Sequence, residues 1–546
     1  MKTLYKKIIF SVTLVALFSS CLSDLDKTPI DPNVVQIVDQ DALFTKIYGT
    51  LGLTGSQGPD GMGDVAGIDE GTSSFYRMMW TLNEFGSDEG WWVWADAGVE
   101  NIRNHSWDSS NDLVRGLYAR LYFDINLCNF YLNEFEKKTD DKSEKQKAEV
   151  RFLRALNYYY LLDMYGEGVP FAKGIIDKVP VEESQLPDPI SRKDLFSWIE
   201  SELKDIETKV YVIGEKPSYY RIDQAAVWML LSRLYLNAEV YTGTTKWDEA
   251  ADYAGKVMSS SYTLAPNYKH IFMGDNDKYS GVNQAYKEII LPIAQDGAHT
   301  RSWGGSMFLI AATRVNGMSP SGSTDQWECY RSKSNLVKKF FPNLAVASTI
   351  KADVNTMPGF AGDDRCLLES YVNTEGKEYA PTLGGGAKNG SEGFLLGWGI
   401  AKFSNIFANG EASSDTQFPD TDIPFLRASE AYLTYAEAVL RGATPTNGTA
   451  LDAVNALRNR ANATPWSAVD LTLENLLDEW GREFYNEGRR RTDLIRFNKF
   501  AGNVNYNWEG KGGSAEGKNI DVKYNIYPIP MNDLVANKKL KPSEGY

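Results

Sequence analysis

The stretch Ala148 to Tyr165, AEVRFLRALNYYYLLDMY, sets the fold class. Val150, Leu153, Leu156/Asn157, Tyr160/Leu161 and Met164 recur every three or four residues, with charges between them. That spacing predicts an amphipathic helix, and Gly166, Gly168 and Pro170 stop it. The same pattern recurs outward along the chain. Gln224 to Ala238 and Trp247 to Met258 are predicted helices, with small alanines set against aromatics in a way that suits close antiparallel packing. Phe425 to Arg441, Ala450 to Ala461 and Leu473 to Asn486 are predicted to follow, the first opening behind Pro424. Paired helices of this kind suggest a mostly α scaffold of TPR-like units, although no strict 34-residue period or repeat signature is present.

Between these blocks, residues from about 260 to 420 are rich in Gly, Ser, Asn and Pro, with short β-prone pieces such as Glu288 to Pro292. They read as long excursions from a helical scaffold, a usual place for a binding surface. Gly384-Gly385-Gly386 lies in one such loop and has no phosphate-cradling context.

The N-terminus reads as a targeting segment. Lys2, Lys6 and Lys7 precede an apolar run of 11 residues, Ile8 to Phe18, too short to span a bilayer. Phe18-Ser19-Ser20-Cys21 then resembles a bacterial lipobox, with Phe18 where leucine is usual. The expected organisation is a signal peptide over 1–20, lipidation at Cys21, a polar tether over 21–33 and one domain over 34–546. Cys128, Cys329 and Cys366 form neither a disulfide framework nor a metal-ligand spacing, and His105, His270 and His299 sit in no catalytic or metal motif. A net charge of −15 over 546 residues argues against a nucleic-acid partner and is compatible with a neutral ligand such as a glycan.

Sugar recognition needs flat apolar faces for the C–H sides of pyranose rings, and planar polar groups for the hydroxyls. Trp91-Trp92-Val93-Trp94 holds three tryptophans in four residues, more than one helix or strand face can bury. Trp303 and Trp327 sit in loops flanked by small or polar residues. A core role and an exposed binding role weigh about equally for these loop tryptophans. Asp275-Asn276-Asp277 and Asp420-Thr421-Asp422 are two D-x-D segments whose oxygens suit Ca²⁺, although the first is not an EF-hand loop and the residues alone favour solvated loop acids with capping roles. The 72 acidic residues leave room for a secreted glycoside hydrolase acting on α-glucan, but no hydrolase motif marks a pair. Arg490 and Asp493, three apart on a helix, read as a packing salt bridge rather than a catalytic pair.

In order along the chain stand the lipobox, Arg151 to Leu156 through Tyr165-Gly166, Asp422-Ile423-Pro424 with Arg427 and Glu430 to Leu433, Glu483-Phe484 with Glu487-Gly488 and Arg490, and the tail Tyr527-Pro528-Ile529-Pro530 to Gly545-Tyr546. This succession resembles the SusD/RagB family of outer-membrane glycan-binding lipoproteins, from the lipobox to the last residue. The resemblance implies four TPR-like helix pairs with ligand-binding loops opposite, no enzymatic activity, a cell-surface position, and a SusC-type TonB-dependent transporter as partner. It is closest to the starch-binding branch. That likeness implies an aromatic arc of Trp94, Trp303 (a tyrosine in the branch) and Trp327, with Asp69 and Arg77 beside it, for starch and maltodextrin. It also implies a calcium contact at Asp277 and Asp420, with Asp422 in the same segment. The amide expected three residues after the first arc aromatic falls on Ala97, for which Asp96 or Asn101 are the expected substitutes.

Overall fold

The computed structural model describes residues 38–175, 181–278, 281–370, 397–514 and 516–546. The chain divides into two units, Met1–Leu43 and Phe44–Tyr546. The expected signal peptide, Cys21, the 21–33 tether and the Gly384-Gly385-Gly386 loop lie outside the described residues.

Helices are the main regular structure among the described residues of the second unit. In chain order they include α1 (Phe75–Glu84), α2 (Asp112–Glu134), α3 (Asp141–Met164), α4 (Arg192–Ile206), α5 (Gln224–Leu236), α6 (Trp247–Met258), α7 (Ser306–Ala311), α8 (Ser429–Leu440), α9 (Ala450–Arg460), α10 (Leu473–Phe484) and α11 (Arg490–Arg496). Most of the long ones start on a side-chain cap: Asn111 for α2, Asp140 for α3, Ser191 for α4, Asp223 for α5, Thr449 for α9 and Thr472 for α10. Helix α3 opens seven residues before the apolar pattern does, because Asp140 accepts from the Ser143 amide at 3.0 Å and starts a polar first turn. It ends before Gly166, whose φ of 75° suits glycine after a helix.

The scaffold helices pack in succession: α2 on α3, α3 on α4, α4 on α5, α5 on α6, α6 on α8 and α8 on α9, with α10 also against α8. Buried Ala250, Ala251 and Ala254 on α6, with Ala431, Ala436 and Ala438 on α8, let the helix axes approach closely.

The strands are short and pair antiparallel. They are β1 (Gly90–Trp92), β2 (Ile289–Ile293), β3 (Tyr330–Ser332), β4 (Leu368–Glu369), β5 (Gly399–Ile400), β6 (Ile423–Arg427), β7 (Gly502–Tyr506) and β8 (Lys518–Ile520). The helix expected from Phe425 begins only at Ser429; Ile423–Arg427 is instead a strand, paired Ile289↔Arg427, Leu291↔Leu426 and Ile293↔Ile423. An apolar run buried nearly throughout satisfies either period, and here the partner strand decides.

The expected Arg490–Asp493 pair does not form. Arg490 places its fork on Asp88, at 2.8 and 3.1 Å, whereas Asp493 accepts from Arg489 at 3.0 Å and Arg496 at 2.8 Å. A bidentate carboxylate from the far end of the chain outcompetes the neighbour one turn away.

Candidate functional site

The tryptophan-dense stretch divides its three rings between core and surface. Trp91 and Trp92 lie on β1 and are 1% and 3% exposed, whereas Trp94, just past the strand end, is 40% exposed. Arg103 covers the Trp91 ring at 4.1 Å and donates to the Trp92 carbonyl at 2.7 Å. The Trp92 indole N–H donates to Asp96 at 2.7 Å, fastening the turn that carries Trp94. Val93 N–H donates to the Cys329 carbonyl at 2.8 Å, so this segment lies beside the one carrying Trp327.

Trp327 is held from α7 through its own N–H, which donates to the Ala311 carbonyl at 2.8 Å. Trp303 is placed by two close approaches that only glycine permits. A Cβ on Gly71 would stand 2.9 Å from the Trp303 Cβ, and one on Gly304 would stand 2.3 Å from the Ser74 hydroxyl. Ser74, the cap of α1, donates to the Gly304 carbonyl at 2.9 Å. Trp303 and Trp327 both pack against the buried cluster of Met307, Ala311 and Phe418 and keep part of each ring open. Their ring centroids are 6.2 Å apart.

Arg77 ties the pieces together. One nitrogen of its guanidinium donates to the carbonyls of Gly71 and Trp303, both at 3.0 Å. The guanidinium lies over Phe308 at 4.4 Å and Trp327 at 5.6 Å. Burial pulls its pKa down to about 10, so it is charged at neutral pH. Its Nε is buried without a hydrogen-bond partner.

All five residues expected at the site, Asp69, Arg77, Trp94, Trp303 and Trp327, line one open cavity of about 410 Å³. Asp60 and Glu70 line it too, and the sequence pattern does not single them out. Asp60 sits in a Pro-Gly loop whose composition gives no hint of contact. It is recruited by the Trp303 indole N–H, which donates to it at 3.3 Å. The other two carboxylates also serve the local backbone and side chains. Asp69 accepts from the Thr72 amide at 3.2 Å, and Glu70 accepts from the Thr54 hydroxyl. Burial raises the Glu70 pKa, and the charges of Asp69 and Asp60 add to the rise.

The expected substitutes for the amide at position 97 do not reach this cavity. Asp96 is turned to Trp92, and the Asn101 amide approaches the Ser106 carbonyl at 3.4 Å. Neither lines the arc cavity, nor does exposed Ala97.

The D-x-D acids split as well. Asp420 accepts from the amides of Ser414 at 2.7 Å and Gly297 at 3.0 Å. Asp422 accepts from the Gln295 amide at 2.7 Å with one oxygen, and its other oxygen is buried; Tyr220 approaches both Asp277 and Asp422, and the Lys278 ammonium stands 3.4 Å from Asp277. Burial drives the Asp422 carboxyl well above its ordinary range, and the nearby Asp277 charge adds to the rise. The neighbouring carboxylates of Asp277 and Asp422 could hold a hard cation, in competition with Lys278 and Tyr220, while Asp420 is held by backbone amides. Among the described residues, no group of three or more His, Cys, Asp or Glu is gathered as a metal site.

Flat indole faces framed by carboxylates and one guanidinium are the groups that sugar recognition requires, and here they line one cavity on the loops of a helical scaffold. The sequence agrees with that reading. Residues 319–546 match the family model described as SusD family, and 67–236 match one described as starch-binding associating with outer membrane. The starch-binding protein SusD of Bacteroides thetaiotaomicron is 41% identical over the full length of both chains. Among solved structures, surface glycan-binding protein A from Bacteroides fluxus shares the fold with a TM-score of 0.65, at 18% identity over 93% of this chain and 99% of that one. Surface glycan-binding protein A from Bacteroides thetaiotaomicron, in complex with laminarihexaose, does so with a TM-score of 0.63, at 18% identity over 92% and 98%. The chain belongs to the SusD family.

Proposed function

We propose that the chain captures starch and malto-oligosaccharides at the cell surface, without cleaving them, and delivers them to a SusC-type TonB-dependent transporter. The observation that carries this reading is the convergence of Trp94, Trp303 and Trp327, from three distant segments, on one open cavity with Asp69 and Arg77 beside them. Three indoles offer stacking faces, the carboxylates accept from hydroxyls, and the buried guanidinium holds two of the segments together. Affinity electrophoresis against several polysaccharides tests ligand choice, with retardation expected in amylopectin gels and not in hydroxyethylcellulose.

The hydrolase alternative rests on Asp60, Asp69 and Glu70 lining the same cavity. Their engagement with Trp303, Thr72 and Thr54 supports structural and binding roles instead. Incubation with soluble starch followed by a reducing-sugar assay separates the two. New reducing ends would establish the hydrolase; binding without them supports capture.

Membrane attachment is assigned to acyl chains on Cys21. None of the described helices is long and apolar enough to cross a membrane. Cys21→Ala is expected to shift the protein from the membrane to the soluble fraction in cells lacking the transporter, because the lipid supplies the attachment. Unchanged membrane retention there would overturn the assignment.

A structural Ca²⁺ is proposed at Asp277 and Asp422, where it would neutralise facing carboxylates and link the 275–277 turn to the start of β6. The sign of the pH effect follows from the raised Asp422 pKa. In metal-free protein, a carboxyl raised by folding favours the fold at low pH and loses that contribution as pH rises through its folded value. Calcium bound to the folded state restores stability at neutral pH. Melting temperatures with EDTA should therefore fall further below those with calcium as pH rises. A melting temperature indifferent to both EDTA and calcium at neutral pH would remove the site.

A further inference from the structure

A second cavity, of about 600 Å³, adjoins the arc and shares Asp69, Arg77 and Trp94 with it. Its floor is apolar and closed: Met78, Phe85, Trp92 and Phe308 are each 3% exposed or less. Its lip is polar, with Asp69, Thr72, Asp96 and Asp112. One wall is the loop at Gly67, whose carbonyl accepts from Arg115 on α2. The mouth is open at Ala97, an exposed residue whose short side chain lines this cavity and not the arc.

The size falls within the range of small-molecule sites, about 300–1,000 Å³. An apolar floor with a ring of acceptors is the pattern a neutral pyranose requires, since its C–H face is apolar and its edge donates hydroxyls. Arg77 lines both cavities. Trp94, 40% exposed, stands where the two cavities meet. A glucan chain lying along Trp94, Trp327 and Trp303 fills the first cavity and leaves the second empty. A sugar projecting sideways from that chain, at the level of Trp94, would enter it.

We propose that this inner cavity is a branch subsite, which takes one α-1,6-linked glucosyl residue carried on an α-1,4-glucan held by the arc. The inference rests on the reading of the arc as an α-glucan site, and it adds a preference for branched over linear chains. No covalent step is involved.

A cyclic ligand isolates the branch, because a closed ring has no chain end to place in the second cavity. Titration calorimetry with cyclomaltoheptaose and its 6-O-α-glucosyl derivative is the test. The wild type is expected to bind the branched ring about tenfold more tightly than the plain ring, an increment of the size that one stacked ring supplies. Ala97→Trp, which fills the mouth from an exposed position, should bind both rings equally, with its plain-ring affinity unchanged. Leu113→Phe, which narrows the cavity from α2, should do the same. Plain-ring binding also reports that each variant is folded and that the arc is intact. Equal affinities of the wild type for the two rings, or a branch advantage that survives both variants, would overturn the subsite and leave the arc standing. Failure of the wild type to bind either ring would overturn the arc reading itself, and the subsite with it.

Discussion

Arg427→Ala is expected to destabilise the protein by ~3–5 kcal/mol, the usual cost of removing one partner from a buried ion pair. Arg427 is 1% exposed and sits at the end of β6, where the sheet hands over to α8. Its guanidinium donates to Glu487 at 2.8 and 3.0 Å, to Glu288 at 2.9 Å and to Glu483 at 2.7 Å, and it lies 3.9 Å from the centre of the Phe484 ring. Those carboxylates are shared with other buried cations. Arg460 reaches Glu288 and Glu483, Arg365 reaches Glu483 and Glu479, and Lys402 reaches Glu487. Burial alone would push the Glu483 carboxyl up, but Arg460, Arg427 and Arg365 together hold it well below the usual carboxylate range. The cluster therefore contributes stability that is present at neutral pH and is lost as acid protonates it. Truncating Arg427 leaves Glu288, Glu483 and Glu487 with one fewer counter-charge in a site water does not reach. Urea denaturation of Arg427→Ala, beside Arg427→Lys, checks the argument. Lysine keeps the charge and loses the fork, so an intermediate loss is expected. A midpoint unmoved by Arg427→Ala would mean that the remaining cations suffice.

The scaffold is legible in the sequence wherever one helix face is apolar and the other charged. Trp247–Met258 falls where the periodicity puts it, and Ala450–Arg460 differs by one residue. Helix α2 is not among the helices expected above, yet Val114, Leu117, Leu121, Ile125 and Cys128 on its buried face carry the same spacing. Ile423–Arg427 escapes a periodicity reading because a run buried on both faces has no period to show. The partners of Arg490 and Arg427 are illegible for another reason. Asp88 lies 402 residues from Arg490 and Glu288 lies 139 from Arg427, and periodicity sees only neighbours. From the residues alone, a core and an exposed role weigh about equally for Trp303 and Trp327, and the choice of Trp94 out of Trp91-Trp92-Val93-Trp94 comes from the family resemblance. Asp60 is not legible, since its place depends on one hydrogen bond from Trp303 across 243 residues. The inner cavity depends on the absence of bulk at Ala97, and an alanine in a loop carries no signal.

The arc gives the second large effect. Trp94→Ala, Trp303→Ala and Trp327→Ala are each expected to cost about 1–3 kcal/mol of binding to cyclomaltoheptaose, by analogy with ring stacking on aromatics elsewhere. The three rings are not equivalent in their support. Trp303 and Trp327 lean on Met307, Ala311 and Phe418, so their loss also opens space against a buried cluster. Trp94 is more exposed and meets Trp92 edge-on at 5.9 Å, so its loss should weaken binding with little effect on stability. Comparing melting temperature with affinity across the three variants separates support from stacking. A neutral polysaccharide displaces few counterions, so added salt should change affinity little. Rings set on a common arc should also favour amylose-like and cyclic maltodextrins over straight β-1,4-glucans. Isothermal titration of the wild type and the three single variants measures each of these at once. Unaltered affinity in all three, or equal binding to cellulose oligomers, would place the ligand elsewhere on the molecule. Graded losses with a retained preference for the curved ligand would fix the three indoles as the capture surface.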